Sequence, residues 1–429
     1  MPGNTAVRAP GVIASVPCHE AIIEAVSEAI GLPADALRET NMYADGDVTP
    51  TVCGGITLGQ NGFAWHIPAM WAQCKTQWKV AERRAAITKF NGANRWRKRG
   101  LSMLPVKYNI DTTYYHMSSS VRIFGTDGTV HVVHGGCELG QGIHTKVAQA
   151  VAYALRCPLD QVTIGDTSTL EAPNSNGTGG SGGSESCVRS VLDACAKLNK
   201  VLEPYRADDW AATITAASKD NAALHAAGWE AVSAAEQHNK LFDYATQGVG
   251  CIEVELDALT GEIAIMRADI LMDQGCPLNP LIDLGQVEGG FMMALGYYLT
   301  EEVLYSPTTG TQLSLGTWQY KPPAVADIPI EFNVSFVAQS PNQRWAAVTC
   351  RYMPLHAVAC HDMTLHAVAC HDMPLHARGG PPPSPPQPPQ QDARTLALLC
   401  AQPSPARAPR CFCSCAWQPE RRPGFQGFC

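Results

Sequence analysis

Two glycine-rich runs constrain this chain more than any other feature. The first, Gly135-Gly-Cys-Glu-Leu-Gly-Gln-Gly142, follows a short apolar stretch over 129–133 and precedes a helical pattern starting near Ile143. The second, Gly177-Thr-Gly-Gly-Ser-Gly-Gly-Ser184, also leads into a helix. Glycine lets a backbone approach a ligand closely, and the N-terminus of the helix that follows offers free N–H groups to an anion. The bare backbone and two hydroxyls of the second run suit a phosphate or an oxoanion. Two such loops imply one large anionic ligand held from both sides. Taken singly, such a run is more often a linker or a turn than a ligand cradle. Neither is a Walker loop, since no Gly-Lys-Ser/Thr follows, and neither has the Rossmann spacing.

The pattern around these runs alternates helices and strands. Ile22, Ile23, Val26 and Ile30 recur at helical spacing over 18–30, and Gly31 stops that helix. The turn 125–128 feeds a strand over 129–133. Val147, Val151, Ala154 and Leu155 predict a helix over 144–155; Val191, Ala194, Cys195, Leu198 and Leu202 predict another over 188–202. Residues 251–256 alternate as a half-buried strand, and the turn 260–262 returns it into a second strand over 263–271. A helix over 286–299 places Phe291, Leu295 and Tyr298 inward. This order predicts an α+β fold, mixed sheets with packed helices, followed by a disordered tail.

Composition narrows the function. Apolar residues make up 45% of 429, enough for a sizeable core, and a net charge of -8 argues against a basic nucleic-acid face. No run is long enough to cross a bilayer, and no basic start followed by an apolar stretch marks a signal peptide. A cytoplasmic protein with no nucleic-acid or membrane partner is expected. Of 17 cysteines, those in the patterned region, such as Cys18, Cys157, Cys195 and Cys251, are scattered. Without a Cys-x-x-Cys pair they read as reduced and buried rather than as cluster ligands.

Three zones are expected: a globular domain over 4–345, ten-residue tandem repeats over 353–378, and a Pro-rich, Cys-rich tail over 379–429. The repeats carry His356, His366 and His376 with two Cys-His-Asp units. They admit metal binding, but the spacing fits no known zinc pattern. A translated tandem DNA repeat or read-through is the favoured reading.

Asn4-Thr-Ala-Val-Arg-Ala-Pro-Gly11 resembles the arginine-containing loop of xanthine dehydrogenase/aldehyde oxidase-type molybdenum hydroxylases. His134-Gly-Gly-Cys-Glu-Leu-Gly-Gln-Gly-Ile-His-Thr-Lys146 is similar to their Gly-Gly-x-Glu-Met-Gly-Gln-Gly segment. The Gly/Ser run to Glu185, Asp273-x-Gly275, Leu278-Asn-Pro280, Asp283-Leu-Gly-Gln-Val-Glu-Gly289 and Ile328-Pro-Ile-Glu-Phe332 continue the match in order. The resemblance covers about 4–342, the C-terminal half of the family's molybdenum-cofactor domain. Arg8-Ala-Pro-Gly11 lacks the phenylalanine of the xanthine-dehydrogenase loop, which tilts the likeness slightly toward aldehyde oxidases.

The resemblance implies a molybdenum–molybdopterin cofactor. Arg8 would sit beside the metal centre. Leu139 stands where the family often has methionine, and Gly140 and Gln141 would contact the pterin. Gly180, Ser181, Gly182 and Gly183 would surround the metal and the pterin phosphate, and Gln286 would hydrogen-bond the cofactor. The complete enzyme would add 2Fe-2S clusters and FAD, hydroxylate aldehydes or purine-like N-heterocycles, and could form a homodimer. The family's catalytic glutamate lies in a Gly-Glu-Pro motif, which occurs nowhere in this sequence. No catalytic residue and no protein metal ligand is therefore assigned. Glu185 and Glu288 lie in cofactor-loop contexts where the family has no base. The expectation is a fragment; a non-catalytic cofactor- or metal-binding remnant, or a gene-model artefact, is the alternative.

Overall fold

A computed structural model describes residues 8–9, 11–50, 57–59, 64–110, 116–231, 244–275 and 277–338. The repeats over 353–378 and the tail over 379–429, with their expected disorder and possible metal binding, lie outside the described residues.

Among the described residues the strands form two four-stranded sheets. The first contains β1 (Arg97–Ile110), β6 (Tyr244–Asp257), β7 (Ile263–Asp273) and β8 (Glu331–Phe336), in the order β1-β6-β7-β8. The second has the order β4-β3-β2-β5, from β2 (His116–Ile123), β3 (Val130–His134), β4 (Val162–Ile164) and β5 (His225–Ala231). Each sheet is antiparallel except for one parallel pair, β7 with β8 and β3 with β4. The α+β class with mixed sheets is thus the observed one.

The second sheet carries the larger core. Helices α5 (Ile143–Leu155) and α6 (Gly183–Leu202) pack on it, and α7 (Trp210–Lys219) adds Trp210, Ile214 and Ala217 to the same core. On α6 the residues Val188, Val191, Cys195, Leu198 and Leu202 recur every three or four positions and are all buried. They meet Val147, Val151 and Leu155 of α5 and Met117, Val121, Val130 and Val132 of the strands. Each fully buried side chain of this kind is worth about 1.5–3 kcal/mol in apolar transfer, which holds these layers together.

The first sheet is covered by α3 (Ile67–Gln77) and α4 (Val80–Ala93), over Met70, Trp71, Cys74, Met103, Val249 and Leu271. Buried Asp269 accepts from Arg83 at 2.8 Å, Arg267 at 2.7 Å and Asn333 at 3.0 Å, joining α4, β7 and β8 through a satisfied charge.

The remaining helices behave differently. α1 (Val12–Ile30) starts six residues before the expected helix and ends at Gly31 in the left-handed conformation, as anticipated. None of its residues is buried, because it turns Glu20 and Glu24 toward Arg38 of α2 (Ala34–Thr40) and leaves Ile22 62% exposed. α8 (Pro280–Leu299) starts six residues before the expected 286. Its expected inward residue Tyr298 is 47% exposed; its hydroxyl donates to the Ile13 carbonyl instead of entering a core. Cys18 is also exposed, against the expectation for scattered cysteines, while Cys157, Cys195 and Cys251 are buried. Among the described residues no helix is long and apolar enough to cross a membrane.

Candidate cofactor cradle

The first glycine loop leaves β3 and enters α5. Its glycines divide by role. A Cβ on Gly135 would stand 1.9 Å from Ser175 Oγ, and one on Gly136 would stand 2.7 Å from Cys187 Sγ and 2.8 Å from Ile143 Cδ1. These two exist for packing. Gly140, with φ +95°, has nothing within 4 Å of its Cβ position and faces open space.

Three of the N–H groups expected to be free around the start of α5 are already used. Glu138 Oε1 accepts from Gly140 N–H and Gly142 N–H, both at 2.9 Å, and Oε2 accepts from His144 N–H at 3.1 Å. The loop's own carboxylate caps the helix, which the sequence reading missed. Glu138 four positions before Gly142 was the available signal. Burial pushes the Glu138 carboxyl up, but the three donors outweigh it and hold it below the usual range. Gln141 is likewise closed on its loop: its carboxamide oxygen accepts from Leu139 N–H and its nitrogen donates to the Cys137 carbonyl at 2.7 Å. The Leu139 side chain is 72% exposed.

The second loop keeps its donors. Gly180 and Ser181 both have positive φ, +63° and +68°, and Gly182 returns to the right-handed region at −103°. A left-handed residue next to a right-handed one turns successive N–H groups toward one concave side. Among the described residues the N–H groups of Gly180, Ser181, Gly183 and Ser184 have no acceptor, while Gly182 closes the turn over 180–181. They stand at the N-terminus of the 20-residue α6, where the helix dipole favours negative charge.

The two loops meet. Cys137 N–H donates to Thr178 Oγ1 at 2.7 Å, and the Cβ position of Gly183 lies between Thr178 and Ile143. α8 closes on the same place. A Cβ on Gly142 would stand 2.5 Å from Ile282 Cδ1, so glycine is what lets α8 seat there. Asn279 caps α8 by accepting from the N–H groups of Leu281 and Ile282, and donates to Gln149 of α5 at 3.0 Å. Lys146 pairs with Asp283 at 3.5 Å. Burial raises the Asp283 carboxyl, with Lys146 opposing.

Arg8 donates to the Gln286 carbonyl at 2.7 Å and the Gly285 carbonyl at 3.3 Å, and its guanidinium occupies the space a side chain at Gly289 would fill. Gln286 itself is exposed. Contacts therefore run from the second loop to the first, from the first to α8, and from α8 to Arg8. Gly140, Gly179 and Gly285, one from each segment, all face open space. Glu185 is buried in the first turn of α6, and Glu288 is half-buried on α8. Among the described residues no group of three or more His, Cys, Asp or Glu could hold a metal ion.

Unspent N–H groups in a concave turn suit an anionic cofactor held by its backbone contacts rather than by side-chain metal ligands. A family model described as the molybdopterin cofactor-binding domain matches residues 73–329, more than half of the chain. The chain belongs to that family. Within it, the chain is 39% identical to the xanthine dehydrogenase of Drosophila subobscura over 80% of its own length and 26% of that protein. It is equally 39% identical to aldehyde oxidase 2 of Cavia porcellus, again over 80% of itself and 26% of the relative. The slight tilt toward aldehyde oxidases is not reproduced in overall identity. The chain thus spans about a quarter of the length of these relatives. Among solved structures, CO dehydrogenase from Oligotropha carboxidovorans superposes with a TM-score of 0.62 at 19% identity, covering 76% of this chain and 44% of that one. Aldehyde oxidoreductase from Desulfovibrio gigas superposes at 0.60 and 22%, covering 77% and 36%. At these identities the likeness shows the shared fold.

Proposed function

We propose that this chain is the cofactor-holding part of a molybdenum hydroxylase that acts on aldehydes or N-heterocycles when its other regions are present. The observation that carries this reading is the set of unspent N–H groups of Gly180, Ser181, Gly183 and Ser184, joined to the first glycine loop at Cys137 and Thr178. Gly180, Ser181, Gly182 and Gly183 would hold the anionic part of molybdopterin. Leu139, Gly140 and Gln141 would face the pterin across the cradle, with Arg8 and Gln286 on the side of α8. Gln141 would first release the Cys137 carbonyl, exchanging one hydrogen bond for another at little net cost. Once bound, the cofactor would supply a Lewis-acidic metal and an acceptor for the substrate's electrons. The 2Fe-2S clusters, FAD, homodimer and cytoplasmic location of a complete enzyme accompany this reading as its expectations.

The test of holding is retention. The full chain, mixed with molybdopterin cofactor and passed through gel filtration, is expected to retain pterin fluorescence; Ser181→Asp, which aims a carboxylate into the turn, is expected to lose it. Equal retention by both would contradict the assignment. The chain alone is expected not to turn over an aldehyde or a purine. It has no Gly-Glu-Pro, and general-base assistance is worth about 10²–10⁴-fold. Turnover at the level of a full-length relative, measured with an artificial electron acceptor, would show that another group takes the proton, and Glu185 and Glu288 would then be substituted first.

A further inference from the structure

Two histidines beneath the first glycine loop have no part in the reading above. His134 ends β3 and is fully buried; His144 lies in the first turn of α5. Nδ1 of His134 is 3.1 Å from the Gly136 N–H nitrogen, and its Nε2 is 3.0 Å from Nδ1 of His144. The rings are tilted by 60°, so they meet through their nitrogens rather than by stacking. A backbone N–H only donates, so Nδ1 of His134 is bare. Neutral His134 then carries its proton on Nε2, aimed at His144, whose Nδ1 is bare to receive it. The remaining proton of His144 sits on Nε2. His134 can gain a second proton only by expelling the Gly136 N–H. Burial and then the neighbouring His144 pull it down to about 4, with Glu138 opposing.

We propose that His134 and His144 are positioning residues for the cofactor loop, joined in a one-way relay from Gly136 N–H through His134 to His144 that fixes the loop backbone. The positioning role rests on the functional reading above; the relay does not. Gly136 is wedged against Cys187 and Ile143 just after β3, so a bond to its N–H sets the direction in which the rest of the loop leaves the strand.

Two substitutions separate the two bonds. His134→Asn keeps an acceptor near the Nδ1 position and loses the donor to His144; His134→Gln does the reverse. The full chain, labelled at histidine nitrogen and without cofactor, is expected to show a bare Nδ1 and a protonated Nε2 on both rings. Amide exchange at Gly136 is expected to accelerate roughly tenfold in His134→Gln, the factor one ordinary hydrogen bond is worth, and to stay slow in His134→Asn. A protonated Nδ1 on either ring, or equal exchange in the two variants, overturns the relay. Cofactor retention is expected to fall in both variants; unchanged retention with the relay intact overturns the positioning role. If the unsubstituted chain itself retains no cofactor, the functional reading fails, while the nitrogen and exchange measurements still decide the relay.

Discussion

The two sides of the cradle are built on opposite principles. The glycine loops are anchored in α5, α6 and the β2–β5 sheet, where Val147, Val151, Val191, Cys195 and Leu198 are completely buried. Arg8 and Gln286 stand on segments with almost no core. α1 buries nothing and α8 buries only Gly296, while Ile22, Ile30, Leu281 and Tyr298 are open to solvent. One side is held by packing, which is dense and cooperative. The other is held by single contacts: Arg8 on two carbonyls, Lys146 on Asp283, Asn279 on Gln149, Tyr298 on Ile13, Ile282 on Gly142 and Phe291 on Phe332. Loop geometry is therefore intrinsic to this chain, whereas the position of Arg8 depends on a few polar bonds.

Four substitutions or conditions break or sharpen that contrast. The largest effect is expected in the packed side. Leu198→Ala removes a fully buried side chain and should cost about 2–5 kcal/mol, read as a lower midpoint in denaturant unfolding. A loss no greater than that of a surface substitution would show that α6 is not the keystone.

Next is acid. Because His134 is depressed to about 4 from 6.5, the unfolded chain binds the proton first as pH falls. Its contribution is complete above pH 6.5 and is lost progressively down to about 4, on the order of 3 kcal/mol in all. Stability measured across that window should fall less steeply in His134→Asn; parallel profiles would contradict the assignment.

A smaller effect is expected where a single bond carries the load. Lys146→Met leaves Asp283 without its partner, at a cost of roughly 1 kcal/mol for a loosely spaced, slightly exposed pair. The loss should be local, seen as faster proteolysis in α8 with the main unfolding midpoint nearly kept. A proportionate shift of the whole midpoint would mean that α8 is part of the packed side after all. Smallest of all, Ile22→Ser should change stability by no more than about 0.5 kcal/mol, because the side chain is already exposed.

Legibility in the sequence follows the same division. Where apolar residues face a core, periodicity located the elements closely: α5 begins one residue before its expected start, and β7 ends two residues beyond its expected end. β6 is longer than its readable part because 244–250 contains Gly248 and Gly250; a Cβ on Gly248 would stand 2.2 Å from Met272 Sδ, so packing there requires the residue that carries no pattern. α4 gives little pattern, since it buries only Val80 and Ile87 with Arg83 and Arg84 between them, whereas α3 carries Ile67, Met70, Trp71 and Cys74 at helical spacing, a legible signal left unused. α8 was read late because its start rests on Asn279 and Pro280, a cap and a first-turn proline, rather than on apolar spacing. In the cradle, the glycine runs were legible as a pair, and their meeting at Cys137 and Thr178 is a tertiary fact. What spacing could not convey is which donors remain free. Glu138 takes those of Gly140, Gly142 and His144 in the first loop, whereas no side chain caps α6 after the second.

The most direct test of the account is amide hydrogen exchange on the full chain with and without molybdopterin cofactor. The N–H groups of Gly180, Ser181, Gly183 and Ser184 lack acceptors in the free chain, so they should exchange fast alone and slow sharply on cofactor addition. The core amides of α5 and α6 should not change. Protection that leaves 180–184 fast, or that spreads evenly over the domain, would contradict the claim that this turn is where the chain holds its cofactor.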